Sequence, residues 1–226
     1  MAIHSKIAGL GFYVPEQVVT NDDMAKLMNT SDEWIFERTG IRERRFIKAG
    51  EDSVAGMGAK AAKIALERAG KTPKDVDLLV FATLSPDYYF PGGGVMVQRE
   101  LGLRQIPCFD IREQCSGFIY GLSLADQYIK TGFAKTVLVM GSEIQSDLME
   151  KSDRGRSMSV IFGDGAGAAV VTAHNEEGKG ILSTHLHADG TYAEELMLKH
   201  TTNRAKDIVP AELFASTEEF LPKMNG

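Results

Sequence analysis

The segment from Val76 to Leu84 is a nearly continuous apolar run, and it constrains the fold more than any other feature of the chain. A strand with one wet face alternates apolar and polar residues. A run without alternation fits a strand covered on both faces, as in a parallel sheet flanked by helices. Thr136–Met140 has the same character, and Ile106–Ile111 reads as a further strand. Helix-patterned segments separate them. One runs from Ser53 to Ala69 with small and apolar residues at helical spacing and stops at Gly70. Another covers Val95–Leu101, and a third opens at Cys115 or Ser116, continues to about Lys130 and ends at Gly132. Strand and helix alternate, so the fold class is α/β. The alanine-rich composition of the Ser53–Ala69 helix predicts tight packing.

Nearer the N terminus, Lys6–Val14 reads as a strand ended by Pro15, and Asn21 as the cap of a short helix through Met28. Thr30-Ser31-Asp32-Glu33 has the form of a capping box for a helix that carries Trp34 and Arg38 and closes at Gly40. A basic stretch, Arg42 to Lys48, follows. Phe162-Gly163-Asp164-Gly165-Ala166-Gly167-Ala168 invites a phosphate-loop reading. It lacks a Gly-Lys-Ser/Thr ending and leads into a strand-like segment, so glycines that permit close backbone packing are the better account. From His174 onward the sequence is more polar and irregular.

A chain of 226 residues, 43% apolar and 25% charged, has the makeup of a folded domain, or one domain plus part of a second. Its net charge of −6 and pI near 5.4 argue against wholesale binding to nucleic acid, although a local basic patch can still meet an anionic ligand. Two cysteines give neither a disulfide framework nor a metal cluster, which fits a reducing compartment, with the cytoplasm expected. The N terminus lacks a signal-peptide apolar core, and no run reaches the roughly 18 apolar residues of a membrane span.

Cys115 stands where an apolar segment gives way to a helix-patterned one. A thiol at a helix start feels the positive end of the macrodipole and unpaired N–H groups, both of which favour the nucleophilic thiolate. A free cysteine is equally at home as a small buried hydrophobe, a role that Cys108 fits better. The five histidines, His4, His174, His185, His187 and His200, form no recognisable Cys–His motif. His185 and His187 share one face of an expected surface strand, with Asp189 the nearest further metal donor.

Taken together, Thr30–Trp34, Arg38–Arg44, Cys115-Ser116-Gly117-Phe118, Asp153-Arg154-Gly155 and Phe162–Ala168 resemble the 3-oxoacyl-[acyl-carrier-protein] synthase III family of the thiolase superfamily, in family order. The resemblance implies a thiolase-like fold, here the N-terminal half of a duplicated αβαβα architecture. Residues 1–173 would form that half, and 174–226 a connecting region toward a second half. It implies that Cys115 accepts an acyl group from coenzyme A and passes it to the carbanion made by decarboxylating malonyl-carrier protein. It also implies that Trp34 and Arg154 sandwich the adenine, Thr30 contacts the base and Arg38 lies near the phosphates; Trp34 as the buried anchor of its helix is the alternative. Phe90 matches a position that closes the acyl tunnel of a neighbouring subunit, which implies a homodimer. Acyl-CoA enters as substrate, and no separate cofactor is implied.

Two departures bear on which acyl group is accepted. Glu113 and Gln114 precede the cysteine where small residues are common in the family, and Gly92-Gly93-Gly94 replaces more ordinary side chains. The family's catalytic histidine and asparagine belong to the second half, and no His-Gln-Ala-Asn pattern occurs in this sequence. The chain is therefore expected to acylate without condensing efficiently. A binding or assembly subunit that relies on a partner, and a Cys115-dependent acyltransferase or esterase on the same scaffold, are the other readings.

Overall fold

The structure, a computed structural model, describes residues 3–48, 50–88, 90–193, 195–197 and 223–224. In chain order its elements begin with β1 (His4–Tyr13), β2 (Val18–Thr20), α1 (Asn21–Ala25), α2 (Asp32–Thr39), β3 (Glu43–Arg45), α3 (Val54–Arg68) and β4 (Leu78–Ala82). They continue with α4 (Gly93–Leu101), β5 (Cys108–Ile111), α5 (Gly117–Lys130), β6 (Thr136–Glu143), α6 (Arg156–Ser159), β7 (Gly165–His174), β8 (Leu196–Met197) and β9 (Lys223–Met224). Two compact units share them. The first comprises Met1–Val14, Asp52–Glu143 and Gly165–Leu186; the second comprises Pro15–Glu51, Ile144–Asp164 and His187–Gly226.

The first unit is a five-stranded sheet in the order β1-β7-β6-β4-β5. β4 lies parallel to both β6 and β5, whereas β7 pairs antiparallel with β6 and with β1. All five residues of β4 are buried, as the unbroken apolar run requires. Because side chains alternate across a strand, Leu78 and Val80 join Ala125 and Ile129 of α5 in one core cluster. Phe81 points the other way: a β-carbon at Gly93 of α4 would meet its ring first, and one at Gly58 of α3 would meet it together with Met140. The sheet is thus covered on both sides.

The predicted alanine-rich helix packs as closely as its composition suggests. A β-carbon placed at Gly9 of β1 would lie 2.3 Å from the carbonyl oxygen of Ala65, so only a glycine strand residue lets α3 approach this far. Ser53 caps α3 by accepting from Gly56 N at 2.9 Å. Asp87, buried in the loop after β4, accepts from Val54 N at 2.8 Å and Ala55 N at 3.0 Å. Three of the four donors a helix start leaves unpaired are satisfied in this way.

The second unit is built around Val19, Met24, Met28, Ile35, Phe46 and Val160, with Trp34 packed against their edge. Its basic stretch does not lie wholly in solvent. Arg44 is buried, with Nη2 donating to Asn21 Oδ1 at 2.8 Å and to Val160 O at 3.1 Å, and burial lowers its pKa. Asp164 is the hub of this unit. Its carboxylate accepts from Ile47 N at 2.7 Å, Gln145 N and Ser146 N at 2.8 Å, and the Ser146 hydroxyl at 2.6 Å. The glycine-rich segment after it becomes β7, in line with strand packing.

Several local expectations shift. The α1 cap is Thr20, in a capping box with Asp23, and the helix ends at Ala25 and not at Met28. Asn21 is instead drawn into the core, where its amide donates to Asp32 Oδ1 and Ile41 O at 2.7 Å. The α2 cap is Ser31, which accepts from Trp34 N at 3.1 Å, one residue beyond the expected Thr30. The strand expected to carry His185 and His187 does not form. Residues 181–190 run without ladder pairing, Ser183 Oγ meets His185 Nε2 at 3.1 Å, and Asp189 is spent on a turn with Thr191. The Asp189 carboxylate closes a local turn onto Thr191 N, the kind of side-chain pairing that competes with strand formation. His200 lies outside the described residues.

Candidate active site and nucleotide patch

Cys115 lies in a single 3₁₀ turn, Gln114–Ser116, between the C-terminal end of β5 and the first residue of α5. The turn explains both the position and the access of the thiol. Gln114 has φ +38°, a left-handed conformation that costs a non-glycine residue on the order of 1 kcal/mol. The chain therefore bends sharply just before the cysteine, which is exposed. Ser116 does not cap α5; its hydroxyl turns back to Glu113 O at 3.0 Å. Ser116 thus gives α5 no side-chain cap, and the 3₁₀ turn itself takes up the first donors: Ser116 N donates to Glu113 O at 3.0 Å and Gly117 N to Gln114 O.

Cys108 behaves as the sequence suggests. It is half-buried on β5, and burial together with the Asp110 carboxylate pushes its thiol pKa up. Asp110 in turn caps α4, accepting from Gly94 N at 2.9 Å. The unusual Gly92-Gly93-Gly94 run has a packing explanation here. A β-carbon at Gly92 would fall 2.2 Å from Asp110 Oδ2, and one at Gly93 would fall 2.3 Å from the Phe81 ring. Phe90, just before it, is 82% exposed.

A half-buried carboxylate that sequence reasoning passed over stands at the end of β6. Glu143 accepts from Leu84 N at 2.9 Å, Ser85 N at 3.1 Å and Thr83 Oγ1 at 3.3 Å, and also from the Ser85 hydroxyl. It thereby fixes the loop that leaves β4. Arg112 and Glu113, which lead into the Cys115 turn, help to line a hollow of about 320 Å³ with Tyr120, Leu124 and Leu186.

In the second unit, Trp34 is only partly buried, and two guanidinium groups lie over its ring. That of Arg38 is 4.4 Å from the ring centroid and that of Arg156 is 4.7 Å. Both lie within cation–π range. Arg38 follows from sequence, because residues four apart share a helix face; its Nη1 also donates to Trp34 O at 3.2 Å. Arg156 was not singled out by its spacing. Arg154 Nε donates to Glu150 Oε2 at 2.7 Å and holds that carboxyl below its ordinary pKa. Thr30 carries a buried hydroxyl oxygen with no hydrogen-bond partner among the described residues. Among the described residues no group of three or more His, Cys, Asp or Glu is placed to hold a metal ion, and no helix is long and apolar enough to cross a membrane.

A mixed sheet covered by helices on both faces, with a cysteine on a tight turn between strand and helix, is the thiolase-like arrangement. Residues 109–190 match the family described as 3-oxoacyl-[acyl-carrier-protein] synthase III. The beta-ketoacyl-[acyl-carrier-protein] synthase III of Methylococcus capsulatus is 48% identical over 206 residues, which are 91% of this chain and 63% of that protein. The crystal structure of 3-oxoacyl-[acyl-carrier-protein] synthase III from Aquifex aeolicus VF5 superimposes with a TM-score of 0.82 at 46% identity, over 87% of this chain and 62% of that one. The priming beta-ketosynthase of the R1128 polyketide pathway gives 0.82 at 30% identity, over 98% and 63%. The chain belongs to the 3-oxoacyl-[acyl-carrier-protein] synthase III family, and it spans 63% of the length of the Methylococcus relative.

Proposed function

We propose that this chain carries the acyl-accepting nucleophile and much of the coenzyme A site of a condensing enzyme that initiates fatty-acid or related synthesis. The observation that carries the proposal is the exposed Cys115 on a strained turn ahead of an uncapped helix start. Attack of the thiolate on an acyl-CoA thioester forms a new thioester and releases the coenzyme A thiol, so neither a metal nor a bound cofactor is required. The tetrahedral oxyanion between the two thioesters is the species that the positive end of α5 favours. Decarboxylative condensation with malonyl-carrier protein is the second half-reaction. Family resemblance assigns that step to a histidine and an asparagine outside the motifs of this sequence.

Trp34, Arg38, Arg154 and Thr30 are proposed to hold the nucleotide of coenzyme A. The exposed Phe90 is proposed as the aromatic that a second copy receives in a homodimer, and the cytoplasm as the compartment. Intact-mass analysis after incubation with a panel of acyl-CoAs tests the proposal, comparing the chain with Cys115→Ser. An adduct that matches the acyl group and vanishes in Cys115→Ser supports it; no adduct with any donor overturns it. Transfer of the acyl group to water or amines, and not to malonyl thioester, would favour an esterase or transferase.

A further inference from the structure

We infer that Arg156 is a ligand-contacting residue of the nucleotide patch, which pairs with the phosphate charge of coenzyme A while its guanidinium lies on Trp34. This rests on the coenzyme A reading above and adds a residue to it. Three observations within the second unit carry the inference.

Arg156 is held at the indole by its backbone surroundings. Its Nη1 donates to Asn29 O at 2.6 Å, and Asp153 accepts the N–H of the same Asn29. Both polar backbone groups of one residue, just ahead of α2, are thus tied to the 153–156 segment, which fixes Arg156 over the helix that carries Trp34.

Arg156 also lacks a counter-charge. Among the described residues no carboxylate pairs with it, whereas Arg154 is bound to Glu150 at 2.7 Å and Arg42 to Asp32. Two guanidiniums gathered over one indole repel each other. An anion placed between or beside them relieves that repulsion, and a guanidinium pairs well with phosphate oxygens.

Finally, the site offers a nucleobase the other half of its recognition. The indole supplies a π face, and Thr30 Oγ1, four residues ahead of Trp34, has no partner among the described residues. Stacking, one hydroxyl and paired cations are the groups that a phosphorylated adenine nucleotide demands.

Trp34 is the only tryptophan, so its fluorescence reports this patch alone. The test is a fluorescence titration of the full chain with coenzyme A and with pantetheine, which lacks the nucleotide. Wild type is compared with Arg156→Ala and with Arg156→Gln, which keeps a donor for Asn29 O but no charge. Each variant is expected to raise the Kd for coenzyme A about tenfold, the equivalent of ~1.4 kcal/mol. The salt dependence should also become shallower, and pantetheine, which does not reach the patch, should leave the fluorescence of wild type and both variants unchanged. Coenzyme A binding within twofold of wild type in both variants overturns the inference and leaves the functional proposal standing. A wild-type chain that shows no response to coenzyme A overturns both.

Discussion

Asp110, on the strand that leads to Cys115, accepts the N–H of Gly94 at 2.9 Å and so caps α4 from across the sheet edge. The helix has no capping side chain of its own, because Gly92 stands at its N-cap position. Burial raises the Asp110 pKa against the lowering effect of the α4 N–H groups, so the charged form carries a desolvation cost at neutral pH. Asp110→Ala is expected to cost about 1–2 kcal/mol through the lost cap. Asp110→Asn, which keeps an acceptor and drops the charge, should cost less. Gly93→Ala drives a methyl group into the buried Phe81 ring and should cost about 1–3 kcal/mol. Urea midpoints of the three variants check this order.

The sheet was legible because burial on both faces leaves a mark that periodicity alone can read: β4 is apolar throughout, and β6 carries the unbroken run Val137–Met140. Two helix ends were legible as well, since Gly70 and Gly132 each follow a helix with positive φ, whereas α1 stops at Ala25, short of the expected Met28. Caps supplied from a distance were not. Asp110, Asp87 and Asp164 all pair with donors at least 16 residues away in sequence, and no local pattern announces such pairing. The site divides likewise. Arg38 is four residues from Trp34 on one helix and can be inferred, whereas Arg156 reaches the same ring across 122 residues and only the fold reveals it.

The two cysteines should differ sharply toward alkylation. Cys115 is exposed on its turn, while Cys108 is half-buried with its thiol pKa pushed up by burial and by Asp110. Since the thiolate is the reactive form and access limits attack, iodoacetamide at pH 7.5 should modify Cys115 about tenfold faster or more. Peptide mapping at a series of times measures this. Comparable rates at both positions would mean that the turn does not present Cys115 as the structure describes.

Asp164 supports the second unit by satisfying three backbone N–H groups and one hydroxyl with two oxygens. Asp164→Ala leaves those buried donors without an acceptor, at roughly 3 kcal/mol or more. Asp164→Asn retains one carbonyl oxygen and should lose about half as much. The amide of Ile47, which depends on Asp164 Oδ2, is expected to lose hydrogen-exchange protection in both variants. Retained protection in Asp164→Ala would contradict the role of this carboxylate.

Glu143 makes stability depend on pH in a direction that can be worked out. Burial raises its pKa above the ordinary 4.5, and this outweighs the hydrogen bonds from residues 83–85 that lower it. The folded chain therefore holds this proton more tightly than the unfolded chain does. Its contribution is fully present below about 4.5 and is lost as pH rises through the raised value. Glu143→Gln cannot titrate, so the urea midpoint of wild type minus that of the variant should be flat below pH 4.5 and fall above it. The amide keeps one acceptor for the loop but turns an NH2 group toward the other donors, which sets a constant offset and leaves the slope unaffected. A difference that rises with pH would show that the donors of the 83–85 loop, and not burial, dominate this carboxyl.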